Sequence, residues 1–288
     1  MHRRGFLAAV AAAVPAANAA AVIDTQRTPL RKAGKVETVY KSPGPKPNGL
    51  QATADGLWIM DQGDNKIYLV RYEDGKVLRA LDTEADKASG ITFDGEAVWM
   101  ASTYSREIIR ADAKTGKTIA KYFTPGAGII YNMSGDPAGR SSPLLAKSAP
   151  APAQPAAKKG PTGGFQQGRL MGAAAPGTGA HGLEWRDGKL WVAVPPSRMI
   201  YRVNPKEWII EKRFPTAGNR PHGIGWEGKY LWCADSNLNA FFKHDPDTGD
   251  IVEKIQLAES DPLPHGMTIW QGWMWYCDDV GVICKLKL

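Results

Sequence analysis

Residues 221–235 read PHGIGWEGKYLWCAD, and the same pattern recurs along the chain. In this copy Gly223 is followed nine residues later by Trp232, with a polar turn, Glu227-Gly228, between them. Four other copies place the glycine and the tryptophan at the same spacing: Gly49 and Trp58, Gly90 and Trp99, Gly182 and Trp191, Gly266 and Trp275. Such a spacing, held in every copy, indicates an internal repeat.

Each copy contains short segments of alternating character separated by Gly and Asp turns, a pattern typical of antiparallel strands. Four such strands in a unit of about 40–45 residues are typical of one blade of a β-propeller. The sequence therefore predicts an all-β fold, a β-propeller of five four-stranded blades over residues 34–288.

The two ends of the chain complete this count. The fifth copy reaches Leu288 after only three strands. Residues 34–40, GKVETVY, are similar to residues 116–122, GKTIAKY, the outer strand of the second copy. We expect the N-terminal strand to complete the fifth blade, which would remove an open sheet edge. A sixth blade within 127–178 is the alternative, although that segment has no tryptophan and no paired-strand pattern.

The N-terminus has the features of an export signal. Residues 1–21 contain Arg3 and Arg4, then an Ala-rich apolar stretch, then a small-residue cleavage pattern ending at Ala19. This order is typical of a twin-arginine signal peptide. We expect a periplasmic mature protein. No later apolar run is long enough to predict a membrane span.

The positive charge comes largely from one insertion. The formal net charge is +7, but two arginines lie in the signal and five basic residues lie in 137–178, which has no acidic residue. The rest is neutral, so a nucleic-acid binder is not expected. The segment 137–178 is rich in Pro, Ala and Gly, a composition that does not form a core. It is either a mobile loop or a lid or docking arm for a protein partner.

Equivalent positions of the repeat should meet at one end of the central channel, which we call the channel mouth. The residues before each repeat glycine form a first ring: Asn48, Ser89, His181, His222 and His265. The residues three after each repeat tryptophan form a second ring: Asp61, Ser102, Val194, Asp235 and Asp278. Three histidines at one repeat position predict a functional site at this mouth.

Two chemistries fit these rings. The imidazoles of His181, His222 and His265, with the Asn48 carbonyl, could hold a divalent metal of unspecified identity. Alternatively, His222 and His265 act as general bases, with Asp235 and Asp278 supporting proton transfer. For the aspartates, turn capping is an equally open interpretation.

Other motifs point to few further functions. The three cysteines form no C-x-x-C pattern, so zinc ribbons and c-type haem are not expected. Cys277 and Cys284 are expected on adjacent strands of blade five, where they could pair in an oxidising compartment. No haem, flavin or nucleotide motif supports an oxidoreductase. The repeat tryptophans are expected to pack between blades.

The repeat residues resemble two propeller families. Residues 47–61 and 65–67, with Pro47-Asn48-Gly49, are similar to the SMP-30/gluconolactonase/luciferin-regenerating family, which implies a metal-ligand role for Asn48. The units Pro221-His222-Gly223 and Pro264-His265-Gly266 resemble the streptogramin (virginiamycin B) lyase family. That resemblance implies a histidine base, magnesium and opening of a cyclic ester by elimination. Histidine stands here where the first family has metal-binding carboxylates.

These observations predict a periplasmic enzyme, a lactonase- or esterase-like hydrolase or a C–O lyase. It would open a lactone or ester of a small molecule at the histidine-lined mouth, with or without a metal. The alternative is a non-catalytic propeller that binds a ligand or a protein partner, because the fold by itself does not decide function.

Overall fold

The computed structural model describes residues 25, 27–127, 130–131, 137–140, 178–278 and 280–288. These residues form a propeller of five four-stranded antiparallel blades, as the repeat predicts. No α-helix occurs in the described ranges, and no helix there is long and apolar enough to cross a membrane.

The blades follow one another along the chain. Blade one contains β2 (Pro47–Thr53), β3 (Gly56–Asp61), β4 (Lys66–Val70) and β5 (Val77–Asp82). Blade two contains β6 (Ile91–Phe93), β7 (Ala97–Ser102), β8 (Glu107–Asp112) and β9 (Thr118–Phe123). Blade three contains β12 (Gly182–Arg186), β13 (Lys189–Val194), β14 (Met199–Asn204) and β15 (Ile209–Pro215). Blade four contains β16 (Pro221–Glu227), β17 (Tyr230–Asp235), β18 (Ala240–His244) and β19 (Ile251–Gln256).

Blade five joins the two ends of the chain. It contains β20 (Met267–Trp270), β21 (Trp273–Cys277), β22 (Val282–Lys287) and, as its outer strand, β1 (Glu37–Lys41). Strand β1 pairs antiparallel with β22, with Glu37 opposite Lys285. The predicted closure by the N-terminal strand is therefore confirmed.

A second N-terminal contact holds blade four. Leu30 forms a parallel bridge with Lys254 of the outer strand β19, and the Arg31 amide donates to the Lys254 carbonyl at 2.8 Å. The Arg31 guanidinium lies 2.8 Å from Glu227 and 3.5 Å from Glu253. Residues 30–31 thus cover the outer edge of blade four, and the strand that follows them, β1, completes blade five.

Blades two and three are joined by a segment that the structure describes in part. Within it, β10 (Ile130–Tyr131) pairs with β11 (Pro137–Arg140). The expectation that 127–178 contains no paired strands is therefore wrong, because this short hairpin forms there. The four-stranded sheets number five in the described ranges, and residues 141–177 of the predicted insertion lie outside them.

The hydrophobic core lies between the blades. Each repeat tryptophan is buried and belongs to a cluster that includes residues of the following blade. Trp99 of blade two, for example, packs with Leu183 and Val192 of blade three. The predicted packing role of the repeat tryptophans is confirmed.

Cys277 and Cys284 lie on adjacent strands, as expected, but the disulfide that the sequence left open does not form, since both thiols are free and buried. Strand register gives the reason. Cys277 lies opposite Ile283, whereas Cys284 lies opposite Tyr276. Neighbouring positions on a strand face opposite sides of the sheet. Accordingly, Cys277 packs with Leu57 on one side of blade five, and Cys284 packs with Met267 on the other.

Candidate active site at the channel mouth

The repeat glycines bring the five inner strands into backbone contact. A Cβ atom on Gly49 would lie 2.0 Å from the Ser89 carbonyl oxygen, and one on Gly182 would lie 2.0 Å from that of His222. Similarly, a Cβ on Gly266 would lie 2.6 Å from the Cα of Gly49. Only glycine permits this approach. The residue before each glycine is therefore held beside its neighbours around the channel.

The first ring converges as the repeat predicts. Asn48, Ser89, His222 and His265 are buried, while His181 is half-buried. His181 Nδ1 lies 3.2 Å from His222 Nε2, and the centroids of these two rings are 4.8 Å apart. The His222 and His265 centroids are 4.5 Å apart, with the rings edge to face. Three imidazoles from consecutive blades thus lie side by side.

Hydrogen bonds determine which nitrogen of His222 carries the proton. His222 Nδ1 lies 2.8 Å from the Arg220 carbonyl oxygen and 2.9 Å from Ser236 Oγ. A carbonyl oxygen only accepts, so Nδ1 must donate. Ser236 Oγ donates its own hydrogen to the Pro264 carbonyl at 2.7 Å and can accept from Nδ1. His222 Nε2 therefore has no hydrogen in the neutral ring and accepts from His181.

The same argument leaves a lone pair on His181. Its Nδ1 donates to His222 Nε2 at 3.2 Å, so Nε2 of the neutral ring is an acceptor. This Nε2 is buried and has no hydrogen-bond partner among the described residues. The Oδ1 atom of Asn48 at the same mouth is also buried without a partner. Unsatisfied buried acceptors are rare in native proteins and commonly mark functional sites.

Burial keeps these rings neutral. Desolvation lowers the pKa of His181 to about 3, with the positive charge of Arg220 adding to the effect. Desolvation also lowers the pKa of His222 well below its ordinary value, with smaller contributions from His265, His181 and Arg220. The lone pair on His181 Nε2 is thus available at neutral pH.

The second ring holds the turns that follow the second strands. Asp61 Oδ1 accepts from the amides of Gly63 and Asp64. Asp278 Oδ1 accepts from the amides of Val280, Gly281 and Val282. These bonds show turn capping, the alternative that the sequence left open, while a part in proton transfer stays a prediction. Ser102 and Val194, also in this ring, are buried.

Asp235 connects its turn to the histidines. Its Oδ1 accepts from the amides of Asn237 and Leu238, and its Oδ2 accepts from the Arg220 amide at 3.1 Å. The carbonyl of the same residue, Arg220, accepts from His222. Asp235 therefore positions the group that orients His222, and its contact with that ring runs through the backbone of Arg220. Desolvation raises the pKa of this carboxyl, against the effect of its backbone hydrogen bonds.

The predicted metal ligands fit a metal only in part. Asn48 Oδ1 and His181 Nε2 offer unpartnered acceptors, but both nitrogens of His222 already have protein partners. Among the described residues, no group of three or more His, Cys, Asp or Glu side chains is arranged to hold a metal ion. In this arrangement the four residues do not form a complete ligand set. A metal-dependent form stays a prediction.

Sequence reasoning missed Ser236. It follows Asp235 directly, and the equivalent residues in blades one and two are Gln62 and Thr103. Gln62 Nε2 donates to Ser89 Oγ at 3.2 Å, and Thr103 Oγ1 lies 3.0 Å from the same hydroxyl. These three polar residues each contact a first-ring residue. Extending the comparison of the repeats by one position would have identified them.

Glu184 was also missed. It lies on β12 two residues beyond Gly182, is 6% exposed, and accepts from the Trp185 amide at 3.2 Å. Gln51, from the inner strand of blade one, donates a hydrogen bond to it. Desolvation raises the pKa of Glu184 to about 8, so the carboxyl is largely protonated at neutral pH. The signal in the sequence was an acidic residue in the middle of the inner strand β12.

Comparisons with known proteins agree with the fold. No protein-family model matches the chain. An uncharacterized WD repeat-containing protein from Synechocystis sp. is 32% identical over 124 residues, 41% of this chain and 35% of the relative. The chain thus spans well under half of that relative's length.

Two solved structures are similar to the propeller. The glutaminyl cyclase of Myxococcus xanthus aligns over 90% of this chain and 97% of its own, with a TM-score of 0.57 and 10% identity. Likeness at this identity shows the fold. A catalytically inactive virginiamycin B lyase from Staphylococcus aureus, with quinupristin, aligns over 88% of this chain and 99% of its own, with a TM-score of 0.46 and 18% identity.

Proposed function

We propose that this propeller is a hydrolase or lyase that opens a lactone or ester of a small molecule at the channel mouth. The observation that carries the proposal is the buried, unpartnered lone pair of His181 Nε2, oriented by the hydrogen bond to His222. A base needs an available lone pair and a fixed ring, and both are present here.

In the hydrolytic form, His181 Nε2 takes a proton from a water molecule whose oxygen attacks the ester carbonyl carbon. The positive charge that forms on His181 is shared with His222 through the Nδ1–H hydrogen bond. The carbon–oxygen bond of the ester then breaks, and His181 returns the proton to the leaving alkoxide. In the elimination form, the base removes a proton from carbon and the carboxylate leaves. Hydrolysis consumes one water molecule, and elimination needs only the substrate.

The low pKa of His181 makes it a weak base in the free protein. A general base works best when its pKa lies near the operating pH. An anionic transition state beside the ring would raise that pKa, because an opposite charge favours the protonated imidazole. The base is therefore expected to strengthen as negative charge develops on the substrate.

Export and the insertion belong to the same proposal. We place the mature protein in the periplasm on the strength of the twin-arginine signal, which lies outside the described residues. The segment 137–178, taken as an arm for a protein partner, lies almost entirely outside them as well.

A propeller that only binds a ligand or protein is the second candidate. It is favoured by one observation: His181 Nδ1 and His222 Nε2 are hydrogen-bonded to each other, as in a structural histidine pair. The relative that matches in sequence is also a WD repeat-containing protein.

Turnover of a lactone and ester panel by the mature protein tests the proposal. His181→Gln should abolish turnover, whereas His244→Gln, at a buried histidine of β18, should retain it. Melting curves of both variants show whether they fold. Equal activity in His181→Gln would overturn the assignment of the base, and no turnover across the panel would favour the binding propeller.

Elemental analysis tests the metal-dependent form. The wild-type protein is compared with a His181→Ala/His222→Ala/His265→Ala variant. One equivalent of a divalent metal that is lost in the variant would support this form, and none in either protein would remove it.

A further inference from the structure

A second concave site lies between blades two and three, away from the histidines. Strand β6 begins beside Ser89 at the channel mouth and ends beside Asp94, which lines a cleft of about 470 Å³. Turns of both blades at this end contribute to the walls, including Pro205 and Lys206. The cleft falls in the size range of ordinary small-molecule sites, about 300–1,000 Å³.

Aromatic rings form one wall. Trp99 stacks on Tyr122 with centroids 5.6 Å apart and on Trp185 at 5.8 Å. Trp208 extends the layer by stacking on Tyr122 at 4.2 Å, and its Nε1 donates to the Phe123 carbonyl at 2.9 Å. Trp99 is buried, while Tyr122 and Trp185 are half-buried and line the cleft. The wall is thus a cluster of stacked aromatic rings, and two of them, Tyr122 and Trp185, are partly exposed to the cleft.

The rim carries both signs of charge. Asp94 Oδ2 accepts from Trp99 Nε1 at 2.8 Å and from Arg110 Nε at 3.1 Å, so its carboxylate is fixed. Glu96 lies 3.5 Å from Arg110, and Lys206 completes the lining. A ligand with one sign of charge would face repulsion from half of this rim. Hydroxyl groups, which both donate and accept, would match it.

The repeat shows what a filled site looks like. Tyr72, two residues beyond Val70 of β4, occupies the equivalent place between blades five and one. Its ring lies 5.4 Å from that of Trp275, and its hydroxyl donates to the Thr53 carbonyl at 2.8 Å. The equivalent residue in blade three, two beyond Val203, is Pro205. Because proline replaces tyrosine, the space beside Trp99 stays open.

We propose that this cleft is a saccharide-binding site, which takes a neutral, hydroxyl-rich sugar ring against Tyr122 and Trp185. The aromatic wall supplies the apolar face for the ring, and the mixed rim supplies hydrogen bonds to its hydroxyls. This inference is independent of the chemistry proposed for the channel mouth.

Titration of the mature protein with neutral trisaccharides tests the site. Maltotriose, cellotriose and triacetylchitotriose are added while tryptophan fluorescence and isothermal heat are recorded. We expect saturable binding of at least one. Pro205→Tyr, which copies Tyr72, should weaken it at least about tenfold. Pro246→Tyr makes the same change in the equivalent cleft between blades three and four, which Trp191 and Trp226 line, and should leave the affinity unchanged. An equal loss in this variant would place the sugar in that cleft and overturn the assignment.

A second variant tests the site if Pro205→Tyr does not fold. Lys206 lies in an exposed turn, so Lys206→Ala should weaken binding several-fold without lowering the melting temperature. Adenosine is titrated in the same way, as an aromatic ligand for comparison. Three results would overturn the proposal: no binding of any trisaccharide, equal affinity in Pro205→Tyr and wild type, or tighter binding of adenosine than of the trisaccharides.

Discussion

His181 Nδ1 lies 3.2 Å from His222 Nε2, so the two imidazoles form a directional pair rather than two separate bases. The direction of the hydrogen bond between the two rings follows from the backbone, because the Arg220 carbonyl accepts from His222 and so places the hydrogen of that ring on Nδ1. One end of the pair is thus anchored to backbone, and the other end, His181 Nε2, is the atom without a partner.

This pair makes a spectroscopic prediction. Both His181 and His222 should be neutral Nδ1–H tautomers at pH 6, because the backbone carbonyl fixes one ring and that ring fixes the other. Long-range ¹⁵N–¹H NMR spectra distinguish the tautomers directly. Ser236→Ala removes one acceptor of His222 Nδ1 but leaves Arg220, so the tautomer should persist. An Nε2–H pattern for His222 in the wild-type protein would contradict the network.

Glu184 predicts a pH-dependent change in stability. Its pKa is about 8 in the folded protein and near 4.5 when unfolded, so the native state retains a proton that the unfolded state loses. Its contribution to the free energy of unfolding is therefore full below about pH 4.5 and is lost as pH rises toward 8.

Glu184→Gln, which imitates the neutral acid, should stabilise the protein relative to wild type at pH 8 more than at pH 5. Each pH unit between the two pKa values contributes at most about 1.4 kcal/mol. Urea unfolding at both pH values measures the difference. A constant offset between the two proteins would show that Glu184 titrates normally.

The contact of inner strands predicts a strong effect of one methyl group. Gly49→Ala would place its Cβ 2.0 Å from the Ser89 carbonyl oxygen, and backbone there has no room to move. We expect the free energy of unfolding to fall by about 3 kcal/mol, as for other overpacked core sites. Thermal unfolding measures it. Gly228→Asn is the control, because no atom lies within 4 Å of its added Cβ and asparagine tolerates its φ of 55°.

The ion pairs of Arg31 predict that the N-terminal segment contributes to stability. Arg31 contacts Glu227 and Glu253, and Lys243 lies 2.7 Å from Glu227 and 3.3 Å from Glu253. These partly buried groups form a network, which contributes more than an isolated surface pair. Arg31→Ala should lower the unfolding free energy by about 1 kcal/mol, and chemical denaturation checks this. Arg71→Ala, at an exposed pair within one turn, should change little; an equal loss in both would argue against the network.

The sequence predicts most of the fold because the repeat is explicit. Gly223 and Trp232 recur at one spacing, so the blade number and the closure by residues 34–40 follow from comparing copies. The sequence could not decide whether Cys277 and Cys284 pair, because adjacent strands do not imply opposite residues: Cys284 is one register position away from the residue opposite Cys277. An offset of one residue in strand register cannot be read from the sequence, because it depends on how β21 and β22 pair.

The sequence also predicts only part of the channel-mouth site. Convergence of His181, His222 and His265 follows from their shared repeat position, but the side-chain torsions that join the first two rings do not. Nor does the repeat indicate that Asp235 would hold the Arg220 amide rather than an imidazole. The sequence marks the positions of Ser236, one beyond the second ring, and of Glu184, an acidic residue on an inner strand. The contacts that they make depend on how the strands pack, which the repeat does not specify.

The pairing of β1 with β22 also determines when the protein can finish folding. Strand β1 can pair only after β22 has been synthesised, and the paired residues Glu37 and Lys285 are far apart in sequence. Blades one to four are continuous in sequence and can form before β22 is made, whereas the ring closes only when β22 pairs with β1. Native contacts of such long sequence separation form slowly. We therefore expect chaperones to bind the open intermediate, in which the edge of β22 is unpaired.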